Sequence, residues 1–293
     1  MSFKNMAIVF GLVLNGVIVA GFGVARPIPS DPSTWIWNDR TEIKGVNHGE
    51  VWSESMLRKM GFSIYLPPRY ESNSTMRYPV VYWLHGAYGK ENDIGLAMVA
   101  KRMVEAGEIG EVIYVVPNSG QFSRYRDWPV ENVKAETWVI RELIPAIDER
   151  YRTIAEREGR ALAGFSMGGE GATRLGFKYP ELFCAIVSCS GALSWPEELS
   201  ASVSSDSDNV RFWAEKNRSL LSGGAMPMYF TMGDSERFFA DLPPFLLYLN
   251  EQDIKFHARI FPGLGHDLKK TYTLVGEDLV SFLAENYAPA RAD

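Results

Sequence analysis

One serine, one histidine and two competing carboxylates stand where acyl-transfer chemistry would need them. Ser166 lies in Gly164-Phe165-Ser166-Met167-Gly168-Gly169, a G-x-S-x-G pattern entered by the apolar run Ala161-Leu162-Ala163 and left by a small-residue helix start. Glycines two residues either side leave room for a sharp strand-to-helix turn that lifts the hydroxyl into the open. The new helix also points free N–H groups back at the serine, which favours negative charge there. A serine hydroxyl is a poor nucleophile near neutral pH, so it needs a base, and the base needs an orienting acid.

The sequence has four histidines. His257 falls inside a predicted strand and His48 precedes the main run of strands. His85 follows a strand, but its neighbours suit it to buttressing a turn. His266 closes Pro262-Gly263-Leu264-Gly265-His266-Asp267, just after the last predicted strand, and the glycines there permit a tight loop; it is the candidate base. The acid should follow the preceding strand, where Gly233-Asp234-Ser235-Glu236 offers two carboxylates. Glu236 stands three residues after the strand-end glycine; Asp234 is nearer the strand end and shorter. Both stay candidates, with Glu236 preferred. An oxyanion needs donors already in place. The Met167 amide supplies one, and the turn His85-Gly86-Ala87-Tyr88 the other, through Ala87 with Tyr88 as the alternative. Tyr88, Tyr125, Trp128 and Trp195 are candidates to stack on a substrate ring, and Arg124 or Arg126 to meet an acidic group.

These residues need a scaffold. Val51–Ser55 and Gly61–Leu66 alternate as strands, and Pro67-Pro68 ends the second. From Tyr78 onward, near-continuous apolar runs alternate with helical periodicities. Strands are expected at Tyr78–Leu84, Glu111–Val116, Gly159–Gly164, Cys184–Ser188, Met226–Met232 and Lys255–Phe261. Helices are expected at Leu96–Ala106, Glu136–Tyr151, Gly171–Tyr179, Val210–Leu221, Leu242–Leu249 and Leu274–Tyr287. Unbroken apolar strands alternating with helices imply an α/β fold, a mainly parallel sheet covered on both faces. The two early strands add an antiparallel edge.

The chain has 293 residues, 46% of them hydrophobic, enough for one large domain over 46–293. Net charge is −6 with no basic block, which argues against a nucleic-acid partner. Lys4 followed by the low-polarity run Ala7–Ala25, with Gly23 and Ala25 before Arg26, reads as an export signal over 1–25; an uncleaved anchor is the alternative. Either places the globular part outside the cytoplasm, secreted or periplasmic, and cleavage would leave no membrane span. Residues 26–45, with three prolines, form an irregular lead-in. Cys184 and Cys189 share one predicted strand, too far apart for a disulfide, and no metal-ligand spacing is present.

Phe62-Ser63-Ile64-Tyr65-Leu66-Pro67-Pro68-Arg69-Tyr70, Tyr82-Trp83-Leu84-His85-Gly86, Glu142-Leu143-Ile144-Pro145-Ala146-Ile147-Asp148, Ala163 to Gly169 and Gly265-His266-Asp267 together carry a resemblance. Over about residues 46 to 287 the chain resembles the putative-esterase family of the α/β hydrolases, which includes esterase D (S-formylglutathione hydrolase), feruloyl esterases, siderophore esterases and mycolyltransferases. The resemblance implies an α/β-hydrolase fold and a serine enzyme that cleaves or transfers carboxylic esters. It also implies no metal or organic cofactor, and a small-molecule or carbohydrate-linked ester as substrate. The acid motif departs from the pattern, because two carboxylates fit it. Transfer to an alcohol or sugar acceptor through the same residues is the alternative chemistry. A binding protein on the same scaffold is the alternative of another class.

Overall fold

A computed structural model describes residues 44–128, 133–193 and 209–292. The expected export signal, most of the lead-in, Trp195 and the serine-rich stretch 194–208 lie outside the described residues. Among the described residues, eight strands form one sheet. β1 (Asn47–Ser53) and β2 (Arg58–Tyr65) are an antiparallel hairpin. β2 also pairs antiparallel with β5 (Ile113–Pro117). From β5 onward the pairing is parallel, through β4 (Val80–Leu84), β6 (Arg160–Phe165), β7 (Ala185–Cys189), β8 (Met228–Gly233) and β9 (His257–Phe261). Two short strands, β3 (Met76–Arg77) and β10 (Arg291–Ala292), pair separately.

Alternation along the central strands feeds two cores. Val80, Tyr82 and Leu84 of β4 and Leu162 of β6 point to one face. Val81 and Trp83 of β4, with Ala161, Ala163 and Phe165 of β6, point to the other. Both sides are fully covered, which is why these strands read as unbroken apolar runs. Helix α1 (Gly95–Glu105) covers the second face together with the C-terminal helix Leu268–Asn286. The first face is covered by the helical stretch 135–150, by the helix Met167–Lys178 and by the helix Leu242–Glu251.

Three helices depart from their expected form. The periodicity over 136–151 predicts a plain α-helix; the structure has a widened π-helical turn over Trp138–Leu143, ending two residues before Pro145. Proline has no N–H to give to the carbonyl four residues back and its ring crowds that carbonyl, so the wider turn sits where a regular one would clash. The expected helix 210–221 breaks at Asn217, whose side chain instead donates to the Phe177 carbonyl at 2.7 Å. The last helix begins at Leu268, six residues before the apolar stripe suggests, because the Asp267 side chain caps it by accepting from the Lys270 amide at 3.1 Å.

β4 has β5 on one side and β6 on the other, so chain direction across the sheet reverses there. Ligands in such sheets bind beyond the carboxyl ends of the strands at this reversal. Ser166 follows β6, and the His85–Gly89 turn follows β4.

Candidate active site

Ser166 has φ 56° and ψ −115°, a backbone conformation that side chains rarely adopt. Its neighbours make the turn possible. A Cβ on Gly164 would stand 2.8 Å from the Leu84 carbonyl oxygen, and one on Gly168 2.8 Å from that of His85. Any residue but glycine would push the serine turn away from the end of β4. The Ser166 amide donates to the Cys189 carbonyl at 2.8 Å, tying the turn to β7. Only 6% of Ser166 is exposed.

His266 Nε2 lies 2.8 Å from Ser166 Oγ, and its Nδ1 lies 2.7 Å from Glu236 Oε2. With the proton on Nδ1 donated to the carboxylate, Nε2 is left to accept from the serine hydroxyl. The imidazole is held between two rings, Phe165 at 4.7 Å and Phe238 at 5.5 Å between centroids. Its side chain is 26% exposed, whereas that of Glu236 is fully buried. The other Glu236 oxygen, Oε1, accepts from the Gly233 amide at 2.9 Å and from Ser190 Oγ at 2.6 Å. Ser190, at φ 50°, is a residue that sequence reasoning missed. It follows β7 directly and carries no spacing signal that marks it.

Of the two carboxylates, the structure brings Glu236 to the imidazole and not Asp234. Asp234 is exposed, and its Oδ1 accepts from the Gly263 amide at 2.7 Å, holding the outside of the histidine loop. The side chain one residue after the strand-end glycine turns outward here, while the third turns back under the loop.

The Met167 amide is the first of its helix and has no intrahelical acceptor. In the turn after β4, the Gly86 carbonyl accepts from His85 Nδ1 at 2.9 Å and from the Gly89 amide at 2.9 Å. A trans peptide unit points its N–H opposite its C=O, so these two bonds aim the Ala87 amide away from His85. Among the described residues that amide has no backbone acceptor. The Tyr88 amide donates to the Gln121 carbonyl at 3.2 Å, which removes it as an oxyanion donor. A Cβ on Gly86 would stand 3.4 Å from Ser166 Cβ, so this turn lies directly against the serine. His85 is fully buried. Its Nε2 accepts from the Ser119 amide at 3.4 Å, and burial drives its pKa down to about 4, keeping the ring neutral.

The aromatic candidates divide. Tyr88 is 54% exposed and stands edge-on to Phe122 at 4.6 Å, an accessible aromatic wall beside the serine turn. Trp128 lines no accessible surface among the described residues: it is 8% exposed, packs in the core, and donates its indole N–H to the Ser123 carbonyl at 2.7 Å. Tyr125 is also fully buried. Arg126 is tied to Glu170 at 2.9 Å, deep beneath the surface. Arg124 borders a cavity of about 260 Å³ with Arg126, Glu170, Asn209, Arg211 and Asp241. His257 sits on the exposed edge strand β9, away from this cluster. Both cysteines are free and buried. Among the described residues no group of side chains has the make-up of a metal site, and no helix is long and apolar enough to cross a membrane.

The sequence model of the family described as "Putative esterase" matches residues 53–266. Esterase Rv1288 of Mycobacterium tuberculosis is 32% identical over 230 residues, which is 76% of this chain and 45% of that protein. An endo-1,4-beta-xylanase/feruloyl esterase of Xylanibacter ruminicola is 32% identical over 174 residues, 53% of this chain and 23% of that one. The chain thus spans less than half the length of either relative. Among solved structures, a ferulic acid esterase superposes with a TM-score of 0.71 at 26% identity, covering 82% of this chain and 97% of its own. The S-formylglutathione hydrolase of Agrobacterium tumefaciens shares the fold, with a TM-score of 0.67 at 21% identity over 85% of this chain and 98% of its own.

Proposed function

We propose, from the premise that this chain belongs to the Putative esterase family, that it is an exported serine hydrolase of carboxylic esters. The observation that carries the reading is the continuous chain from Ser166 Oγ through His266 to Glu236, at 2.8 and 2.7 Å. Ser166 attacks the ester carbonyl as His266 Nε2 takes its proton. Glu236 holds the imidazole in the right tautomer and steadies its positive charge. The Met167 and Ala87 amides meet the oxyanion as it forms. His266 then gives its proton to the leaving alcohol, and water repeats the cycle on the acyl-enzyme. None of these steps calls for a metal or an organic cofactor.

The substrate class is a small-molecule or carbohydrate-linked ester, a reading supported by the feruloyl esterase names among the relatives. Residues 46–293 form the catalytic domain, and residues 1–25 direct export. Hydrolysis of 4-nitrophenyl acetate by purified protein and by Ser166→Ala tests the mechanism. The variant should lose about 10⁴–10⁶-fold in kcat, and equal rates would overturn the reading.

A further inference from the structure

The two donors assigned to the oxyanion come from different parts of the chain. Met167 opens the helix after β6, and Ala87 sits in the turn after β4. Something must hold the gap between them constant, because donors already at the right distance stabilise the oxyanion without reorganising. One side chain touches both halves. The Tyr125 ring lies against the helix of Met167, where a Cβ on Gly171 would come within 2.6 Å of it. Its hydroxyl donates to the His85 carbonyl at 3.0 Å, two residues before Ala87. The ring also packs on the His85 imidazole, with centroids 5.7 Å apart.

Tyr125 is itself fixed at considerable strain. Arg124 and Tyr125 have φ 52° and 55°, two successive side-chain-bearing residues in left-handed conformation. The Tyr125 amide donates to Ser123 Oγ at 3.1 Å, and its carbonyl accepts from the Arg174 guanidinium, on the same helix as Gly171. Strain of this kind persists only where the surroundings over-determine it. The hydroxyl is fully buried and burial holds its pKa well above the usual tyrosine value, so it stays a donor across the working pH range.

We propose that Tyr125 is a positioning residue that sets the spacing of the oxyanion site, docked on the serine's helix by its ring and on the Ala87 turn by its hydroxyl. The inference rests on the esterase reading above. Displacing a donor by about an ångström costs up to about a hundredfold in rate. Tyr125→Phe, which removes only the hydroxyl, should lower kcat for 4-nitrophenyl acetate by about 10- to 100-fold with KM within about twofold. The inhibition constant of phenylboronic acid, whose serine adduct is tetrahedral, should weaken by a similar factor. A kcat within twofold of wild type, or a boronate affinity that stays at the wild-type value while kcat falls, would overturn the proposal. Should Tyr125→Phe not fold, Gly171→Ala carries the test, since its methyl meets the tyrosine ring; the same loss in kcat at unchanged KM is expected, and an unchanged kcat overturns it. A fluorophosphonate probe keeps the two readings apart. Wild-type protein that never takes up label at Ser166 refutes the esterase reading itself, whereas labelled wild type beside a fully active Tyr125→Phe refutes only the role of Tyr125.

Discussion

Two polar clusters meet on the helix Met167–Lys178, and they are built on opposite terms. At its start stand Ser166, His266 and Glu236, joined by two hydrogen bonds and open to solvent along the imidazole. One turn further, Glu170 and Arg174 face inward. Glu170 meets Arg126 at 2.9 Å, and Arg174 meets Glu136 at 2.6 Å, with all four side chains at most 9% exposed. Glu136 also accepts from Lys178 and Tyr179. Burial alone would raise its pKa, but Arg174, Lys178 and Tyr179 outweigh this and hold it down to about 2. Each carboxylate in the sealed cluster is fixed by several donors and has no proton to move. The open cluster lines up two protons, one on the serine hydroxyl and one on Nδ1; only the hydroxyl proton has somewhere to go, to a base that is only partly enclosed. Chemistry belongs to the cluster with a proton in transit, and rigidity to the one in which every charge is spoken for.

The sharpest way to break this contrast is at the open cluster. His266→Ala should cost about as much kcat as Ser166→Ala, on the order of 10⁴–10⁶, and the double variant should lose little more, because the two act as a unit. Steady-state ester hydrolysis checks this, and additive losses would separate them. Glu236→Gln should cost less, about 10²–10⁴-fold, since the imidazole keeps its place but loses the charge that favours its working tautomer. At the sealed cluster the readout changes. Glu136→Leu leaves Arg174 without its shortest ion pair and should destabilise the fold by about 3 kcal/mol in urea unfolding, with kcat within threefold.

Acid sharpens the contrast further. His85 has a folded pKa of about 4, below the ordinary 6.5, so the unfolded chain binds more protons in between and stability falls as pH drops from 6.5 toward 4. Glu136, held at about 2, gives stability above pH 4.5 that is lost as pH falls toward 2. Each window is worth about 3 kcal/mol at most. His85→Asn should flatten the upper part of the stability profile and Glu136→Gln only the lower. The smallest effect belongs to Asp234→Asn, which should lower kcat by less than tenfold; a loss matching that of Glu236→Gln would reassign the acid.

The open cluster was far more legible in the sequence than the sealed one. Glycines around Ser166 announce a crowded turn, and Gly263 and Gly265 announce a tight loop before His266, because glycine spacing reports local backbone geometry. The parallel sheet was legible for a similar reason, since strands buried on both faces must be apolar throughout. Choosing between Asp234 and Glu236 needed the direction in which a short loop turns, which composition does not encode. Ser190 escaped because a serine after a strand looks like any other. The Arg126–Glu170 and Arg174–Glu136 pairs join residues 44 and 38 positions apart, so nothing local marks them. Trp128 misled because an aromatic residue in a polar loop does not reveal which way its ring turns.

Asp267 caps the last helix one residue after His266. The imidazole is therefore geared to a long helix that packs on α1, while the serine it serves stands 100 positions earlier in the chain. Until that final segment docks, the serine has no base within reach and remains an ordinary alcohol. Reactivity is thereby tied to the seating of that helix on α1, and whatever loosens its first turn also withdraws the base from the serine.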